Sequence, residues 1–160
     1  MSGFEYVVRV ATKRDLDRVA YLWIELMEFH VRLSRQFDYN KDFRRGYMKF
    51  IAKALANRKG RVFVATKEDE MIGYLFCQIV KNQGPFKEKW IGIIHDAFIK
   101  EGHRRKGIAS RMTDEALAWF RENDVSVVQV GMAANNAIAK QVWAKLGFEP
   151  HLIQSRMTIR

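Results

Sequence analysis

The chain reads as one α/β domain built on a mixed sheet, and three observations predict this. Alternating or β-branched apolar runs are interleaved with segments of three- and four-residue apolar spacing, in the order β-α-α-β-β-β-α-β-α-β. The hydrophobic share, 48% of 160 residues, belongs to a chain with a packed core; a disordered one would need less. No linker, internal repeat or low-complexity stretch interrupts the order, so residues 1–160 are expected to form one domain of a size that one core serves.

Residues 4–11 alternate as a first strand. Thr12 then precedes Asp15 by three positions, the arrangement that satisfies free amides at a helix start. Leu16, Val19, Ala20, Trp23, Leu26, Met27 and His30 follow at helical spacing, predicting a long helix to about Ser34. Phe43, Tyr47, Phe50, Ile51, Ala54 and Leu55 repeat the pattern until 57–60 ends it. Strands are expected over 61–66 and 71–80, joined by the charged turn 67–70; the second is apolar nearly throughout, as a central strand is. A polar loop over 81–89, with Gly84 and Pro85, leads to an apolar strand over 90–99. A basic turn, a helix over 107–121, a β-branched strand over 125–130 and a helix over 134–146 come next. Gly147 ends that helix, and 148–160 is expected to hold the last strand or strands.

Bulk properties narrow the function classes. No apolar run reaches the ~18–20 residues that cross a bilayer, and 1–5 lacks a signal-peptide layout, so a cytoplasmic protein is expected. Cys77 is the only cysteine, which excludes an intramolecular disulfide and a cysteine-rich zinc site. It lies inside an apolar strand and reads as a small buried hydrophobe. The four histidines show no ligand spacing, and no metal is proposed. The net charge is +10, and its excess centres on residues 51–110, with 12 basic against 6 acidic residues. Such a patch serves a polyanionic cofactor as well as it serves nucleic acid.

The richest signal is the junction 94–109, where an apolar strand passes through Arg104, Arg105 and Lys106 into a helix opened by Gly107, Ile108 and Ala109. A helix start offers unpaired amides and the positive end of the dipole. Gly107 permits close backbone approach and positive φ, and Ala109 stays small. Arg104-x-x-Gly107-x-Ala109 resembles the Arg/Gln-x-x-Gly-x-Gly/Ala signature of the GNAT superfamily of acyl-CoA N-acyltransferases. The segment from Asn136 through Ala139 and Trp143 to Gly147-Phe148 resembles that family's Asn-x-x-Ala-x-x-x-Tyr-x-x-x-Gly-Phe block, and the element order agrees along essentially the full chain.

The resemblance implies a mixed, mostly antiparallel, twisted sheet flanked by about four helices, with two central strands splayed apart. It implies acetyl transfer from acetyl-CoA to a primary amine of a small molecule or protein. Amides from Arg104 through Ala109 (Arg104, Arg105, Lys106, Gly107, Ile108, Ala109) would grip the pyrophosphate, and the backbone of Phe98 and Ile99 would take the pantetheine arm as an added strand. The Ala97 amide would donate to the thioester carbonyl, and Asn136 and Lys140 would line the CoA channel. Trp143 stands where the family has a Tyr that protonates the thiolate; an indole donates a hydrogen bond but is no usable acid, and simple packing explains it equally well.

His95 and Asp96 are the candidate bases. Strand alternation places them on opposite faces, so one at most would face the substrate, and the ordinary pKa of histidine favours His95. Trp23, Glu25, Met27, Glu28 and His30 on the first helix are candidate acceptor contacts. The positive chain disfavours polycationic acceptors. Relatives often pair through their last strands, which implies a homodimer. Two other classes are weighed: an acyl-CoA sensor with little catalysis, and a basic nucleic-acid-binding module.

Overall fold

In the computed structural model, residues 5–159 are described; the expected strand start at Phe4 lies outside them. Five strands form one sheet in the order β1 (Val7–Val10), β2 (Gly60–Lys67), β3 (Glu70–Lys81), β4 (Trp90–Ile99) and β5 (Val128–Val130). The first four are antiparallel neighbours, and β5 runs parallel to β4. Helices α1 (Leu16–Leu33) and α2 (Phe43–Ala56) cover one face, and α3 (Ile108–Glu122) and α4 (Ala137–Lys145) the other.

The predicted start of α1 forms. The Thr12 amide and hydroxyl donate to Asp15 Oδ2 at 2.7 and 3.0 Å, and Arg9 grips both carboxylate oxygens at 2.7 and 2.9 Å. The hydrogen bond from Arg9 holds the Asp15 carboxyl far below the usual carboxylate range despite burial. A single 3-10 turn at Lys13–Asp15 takes this cap, so the helix proper opens at Leu16.

Alternation along β3 supplies both cores: Leu75, Cys77 and Ile79 join Met112, Ala116 and Phe120 of α3, while Tyr74 and Phe76 join Trp23 and Tyr47 of α1 and α2. Each fully buried Leu, Phe or Met among them contributes about 1.5–3 kcal/mol. Cys77 is buried among them, and burial raises its thiol pKa, as an inert hydrophobe requires. Gly92 of β4 has no room for a side chain, since a Cβ would meet the Phe120 ring at 2.6 Å. α3 therefore closes tightly on the strand that carries the site. Among the described residues no helix is long and apolar enough to cross a membrane.

Three expectations change. The strand predicted over 125–130 shrinks to Val128–Val130, because the Val125 amide donates to Phe120 O (3.0 Å) and Val125 thereby serves the end of α3. The last helix begins at Ala137, since Asn136 Oδ1 accepts from the Ala139 amide at 3.0 Å and so marks the cap. Its end is as expected: Gly147 has φ +89°, and the Phe148 amide reaches back to Trp143 O at 3.0 Å. Residues 149–159 form no strand. They lie against no strand edge, and their side chains face solvent, so neither ladder bonds nor burial offset the entropy of ordering a strand.

Candidate active site

The site begins with one extra residue in β4. Phe76 pairs with Asp96 while Cys77 pairs with Ile94, so His95 is a β-bulge. The bulge overturns the alternation expected from the sequence. Ile94 faces the α3 core, yet His95 and Asp96 both turn to the α1/α2 face, where Phe98 also lies.

His95 stacks on Phe76 (5.1 Å, 21°), meets the edge of Phe50 (5.3 Å), and its Nε2 donates to Gln78 Oε1 at 3.0 Å. Burial lowers its pKa and favours the neutral imidazole, which is held on three sides. Asp96 is half-buried. Its Oδ2 accepts from the Tyr47 hydroxyl at 2.5 Å, and Oδ1 makes no hydrogen bond among the described residues. Burial pushes the carboxyl up to about 6, opposed by the Tyr47 hydrogen bond. A group that is basic near neutrality and has one free oxygen suits proton abstraction, so the geometry moves the preference from His95 to Asp96.

The backbone beyond the bulge is sorted by ladder parity. The Lys100 amide bonds Ile72 O at 2.9 Å, which makes 74/98 and 76/96 the hydrogen-bonded pairs of the β3–β4 ladder. The N–H and C=O groups of Ala97 and Ile99 therefore point away from β3. On that side β5 pairs with β4 only from Gly92 to Ile94. The two strands part there, and the Ala97 amide finds no protein partner among the described residues. Phe98 departs from its expected role: parity aims its backbone at Tyr74, and its side chain packs with the α1/α2 core.

The basic turn closes the same end of β4. Arg104 departs from its expected place in the amide row: its amide donates to Glu101 O at 3.2 Å, its Nε donates to Ile99 O at 2.9 Å, and its guanidinium lies over Phe29 and Phe98, 5.5 and 5.8 Å from the ring centroids. Lys106 Nζ donates to Gly102 O at 3.0 Å. Arg105 (φ +60°) and Gly107 (φ +78°) both adopt the left-handed region, which turns successive amides to one side ahead of α3. The amides of Ile108 and Ala109 open α3 without intrahelical acceptors. The turn thus offers a concave row of donors at the positive end of a 15-residue helix.

Residues 23–148 match the model of the acetyltransferase (GNAT) family. The chain belongs to the GNAT acetyltransferase family. An uncharacterized N-acetyltransferase of Methanocaldococcus jannaschii is 23% identical over 150 residues, covering 90% of this chain and 61% of its own length. One of Archaeoglobus fulgidus is 25% identical over 137 residues, covering 86% of this chain and 88% of its own. A predicted acetyltransferase of Clostridium acetobutylicum, crystallised with acetyl-CoA, superposes with a TM-score of 0.80 at 16% identity over 96% of each chain.

Within this GNAT domain the remaining expected residues fall into three groups. Asn136 is buried with its Oδ1 committed to capping α4, and Lys140 is exposed one turn on. Trp143 is 7% exposed, in the α3-side core, with its ring edge-on to Phe148 at 5.2 Å. Its position favours the packing alternative. Trp143→Ala is expected to cost about 3–5 kcal/mol, read as a fall in the urea midpoint; Trp143→Phe, which keeps one aromatic ring and leaves a smaller cavity, should cost less.

On α1, Trp23 is buried and reaches Asp96 only through Tyr47, and Met27 packs beside it, half-buried. Glu25 and Glu28 are exposed, and Glu25 lines a shallow concavity of about 270 Å³ with Arg18 and Glu70, in which Asp96 has no part. His30 is half-buried between Phe29 and Phe37, and burial lowers its pKa.

The helical spacing of Tyr47 and Phe50 predicts one apolar face of α2 and carries no sign of what they hold. Tyr47 lies 49 residues from Asp96 in the chain, and only their aromatic spacing on α2 hinted at a shared face.

Proposed function

We propose that this chain moves an acetyl group from acetyl-CoA to a primary amine of a small molecule or a peptide, by direct attack with both substrates bound. One observation carries the reading: the outward-turned Ala97 amide and the half-buried Asp96 carboxylate are consecutive residues at the point where β4 and β5 part. The residues fit the donor. The amide row from Arg105 to Ala109 suits a pyrophosphate, and the outward N–H and C=O of Ala97 with the outward N–H of Ile99 suit an extended amide chain added as a strand. Asn136 and Lys140 would flank it.

Acetyl-CoA supplies the acyl group as a thioester. The Ala97 N–H donates to the acyl oxygen, where negative charge grows, and such a donor contributes about 3 kcal/mol. Asp96 Oδ1 accepts the proton of the incoming ammonium, directly or through one water. His95, Phe50 and Arg104 wall the approach. The thiolate is a tolerable leaving group, so Trp143 need not act as an acid.

Calorimetric titration with acetyl-CoA, CoA and ATP tests the donor. Saturable 1:1 binding of the first two, well above ATP, is expected. Acetyl-CoA binding no better than ATP would sink the reading and favour a basic nucleic-acid module. An amine panel assayed by free-thiol release then separates an enzyme from an acyl-CoA sensor. The cytoplasmic location belongs to the same reading, and cell fractionation checks it.

A homodimer also belongs to it. Leu152, Ile153, Met157 and Ile159 are 83–89% exposed beyond α4, and among the described residues β5 has a neighbour on one edge only. Strand addition between copies would cover both. Sedimentation is expected to give a dimer for the full chain and a monomer for one ending at Phe148.

A further inference from the structure

The carboxylate read above as the base does not stand alone. Tyr47 reaches it from α2, and the Tyr47 ring is itself fixed. It is 6% exposed, stacks on Trp23 of α1 (4.6 Å between centroids, 16° between planes) and meets the edge of Phe76 of β3. Three elements thus aim one hydroxyl at Asp96 Oδ2. The phenol of Tyr74 from β3 is wholly buried in the same place, without a well-formed hydrogen bond.

We propose that Tyr47 is a positioning residue for acetyl transfer: its stacked phenol ties down one oxygen of Asp96 and leaves the other for the incoming amine. This rests on the reading of Asp96 as the base.

The chemistry favours a phenol here. Burial raises the pKa of Tyr47 and Tyr74 well above the ordinary tyrosine range, so Tyr47 is still a donor where Asp96 becomes charged. A donor to the charged form favours that form and opposes the desolvation of a half-buried carboxylate. The titratable neighbours are Tyr47 from α2, Tyr74 from β3 and His95 on β4 itself; α1 contributes Trp23 and no charge that acts on Asp96. Arg104 lies over Phe98 and Phe29 and is not among the groups that act on Asp96. Tyr47 is therefore the group that lowers the proton affinity of Asp96. A phenylalanine would keep both ring contacts and lose only the hydroxyl.

The test is a carbon-13 NMR titration of Asp-labelled protein between pH 4 and 9, with the Asp96 signal assigned by its loss in Asp96→Asn. The parent is expected to titrate near 6. Tyr47→Phe should titrate about one pH unit higher, with unchanged circular dichroism and a matching upward move of the acidic limb of kcat/KM. Trp23→Phe, which keeps the hydroxyl but loosens the ring beneath it, should move the midpoint the same way by less, and it serves if Tyr47→Phe folds poorly. An unshifted midpoint in a folded variant overturns the positioning role alone. An Asp96→Asn chain that releases thiol at the parent rate overturns the base reading beneath it.

Discussion

Gly107→Glu is expected to weaken acetyl-CoA binding at least about 100-fold, or about 2.8 kcal/mol, while the domain stays folded. Gly107 sits at φ +78° immediately before α3. An L residue in that region costs about 1–2 kcal/mol, so relaxation would rotate the amide row that Arg105 to Ala109 presents. The added carboxylate also puts negative charge beside the site meant for phosphate, at the positive end of the helix, where it would satisfy the amides itself. Space is not the objection, because a Cβ would meet only the Tyr6 hydroxyl at 3.5 Å. Gly107→Ala should therefore show the strain alone and a much smaller loss. Calorimetry with acetyl-CoA, beside a thermal melt of each variant, decides it. Near-parental affinity in folded Gly107→Glu would mean the turn does not hold the pyrophosphate.

Asp96→Asn should lose about 10²–10⁴-fold in turnover and yet be the more stable protein at pH 8. The carboxyl is raised from 3.8 to about 6 in the folded chain, chiefly by burial. A raised carboxyl contributes stability that is fully present below about pH 4 and is lost as pH rises through 6, since the folded state must then hold a desolvated charge. A rise of that size bounds the loss at no more than about 3 kcal/mol. Asparagine carries no charge and still accepts from Tyr47, so the penalty disappears. Urea unfolding at pH 4 and pH 8 should find the two chains alike in acid and the variant ahead in base. A variant that is slower but no more stable at pH 8 would place Asp96 in a more polar setting than its contacts describe. Activity obtained at a cost in stability is a common property of catalytic carboxylates.

Residue types and spacing made much of the domain legible. The apolar steps of α1 and α2, the cap at Thr12 and Asp15, the central character of β3 and the helix-ending Gly147 are local properties, and the structure repeats them. The turn ahead of α3 was legible for the same reason: Gly107 permits its positive φ, and Arg104, Gly107 and Ala109 mark a strand-to-helix junction by their own residue types. Where the strand over 125–130 shortened and residues 149–159 stayed single, the missing information was which edge lay alongside, a property of no segment by itself.

Asp96 shows the division most clearly. Sequence placed it on a strand near the reacting centre, and alternation then set it opposite His95. One bulged residue cancelled that inference, because β-strand facing depends on pairing with the neighbour, and the register shift at Phe76 and Cys77 belongs to β3 and β4 together. The same bulge turned the Ala97 amide outward, and the approach of α2 brought Tyr47 to the carboxylate from 49 residues away. The sequence by itself determined the helices, the amide turn and the family to which they belong, because their causes lie within a few residues. Tertiary structure alone decided which carboxylate is basic and what holds it, because desolvation and a hydroxyl from a distant helix exist only once the sheet and α2 have packed.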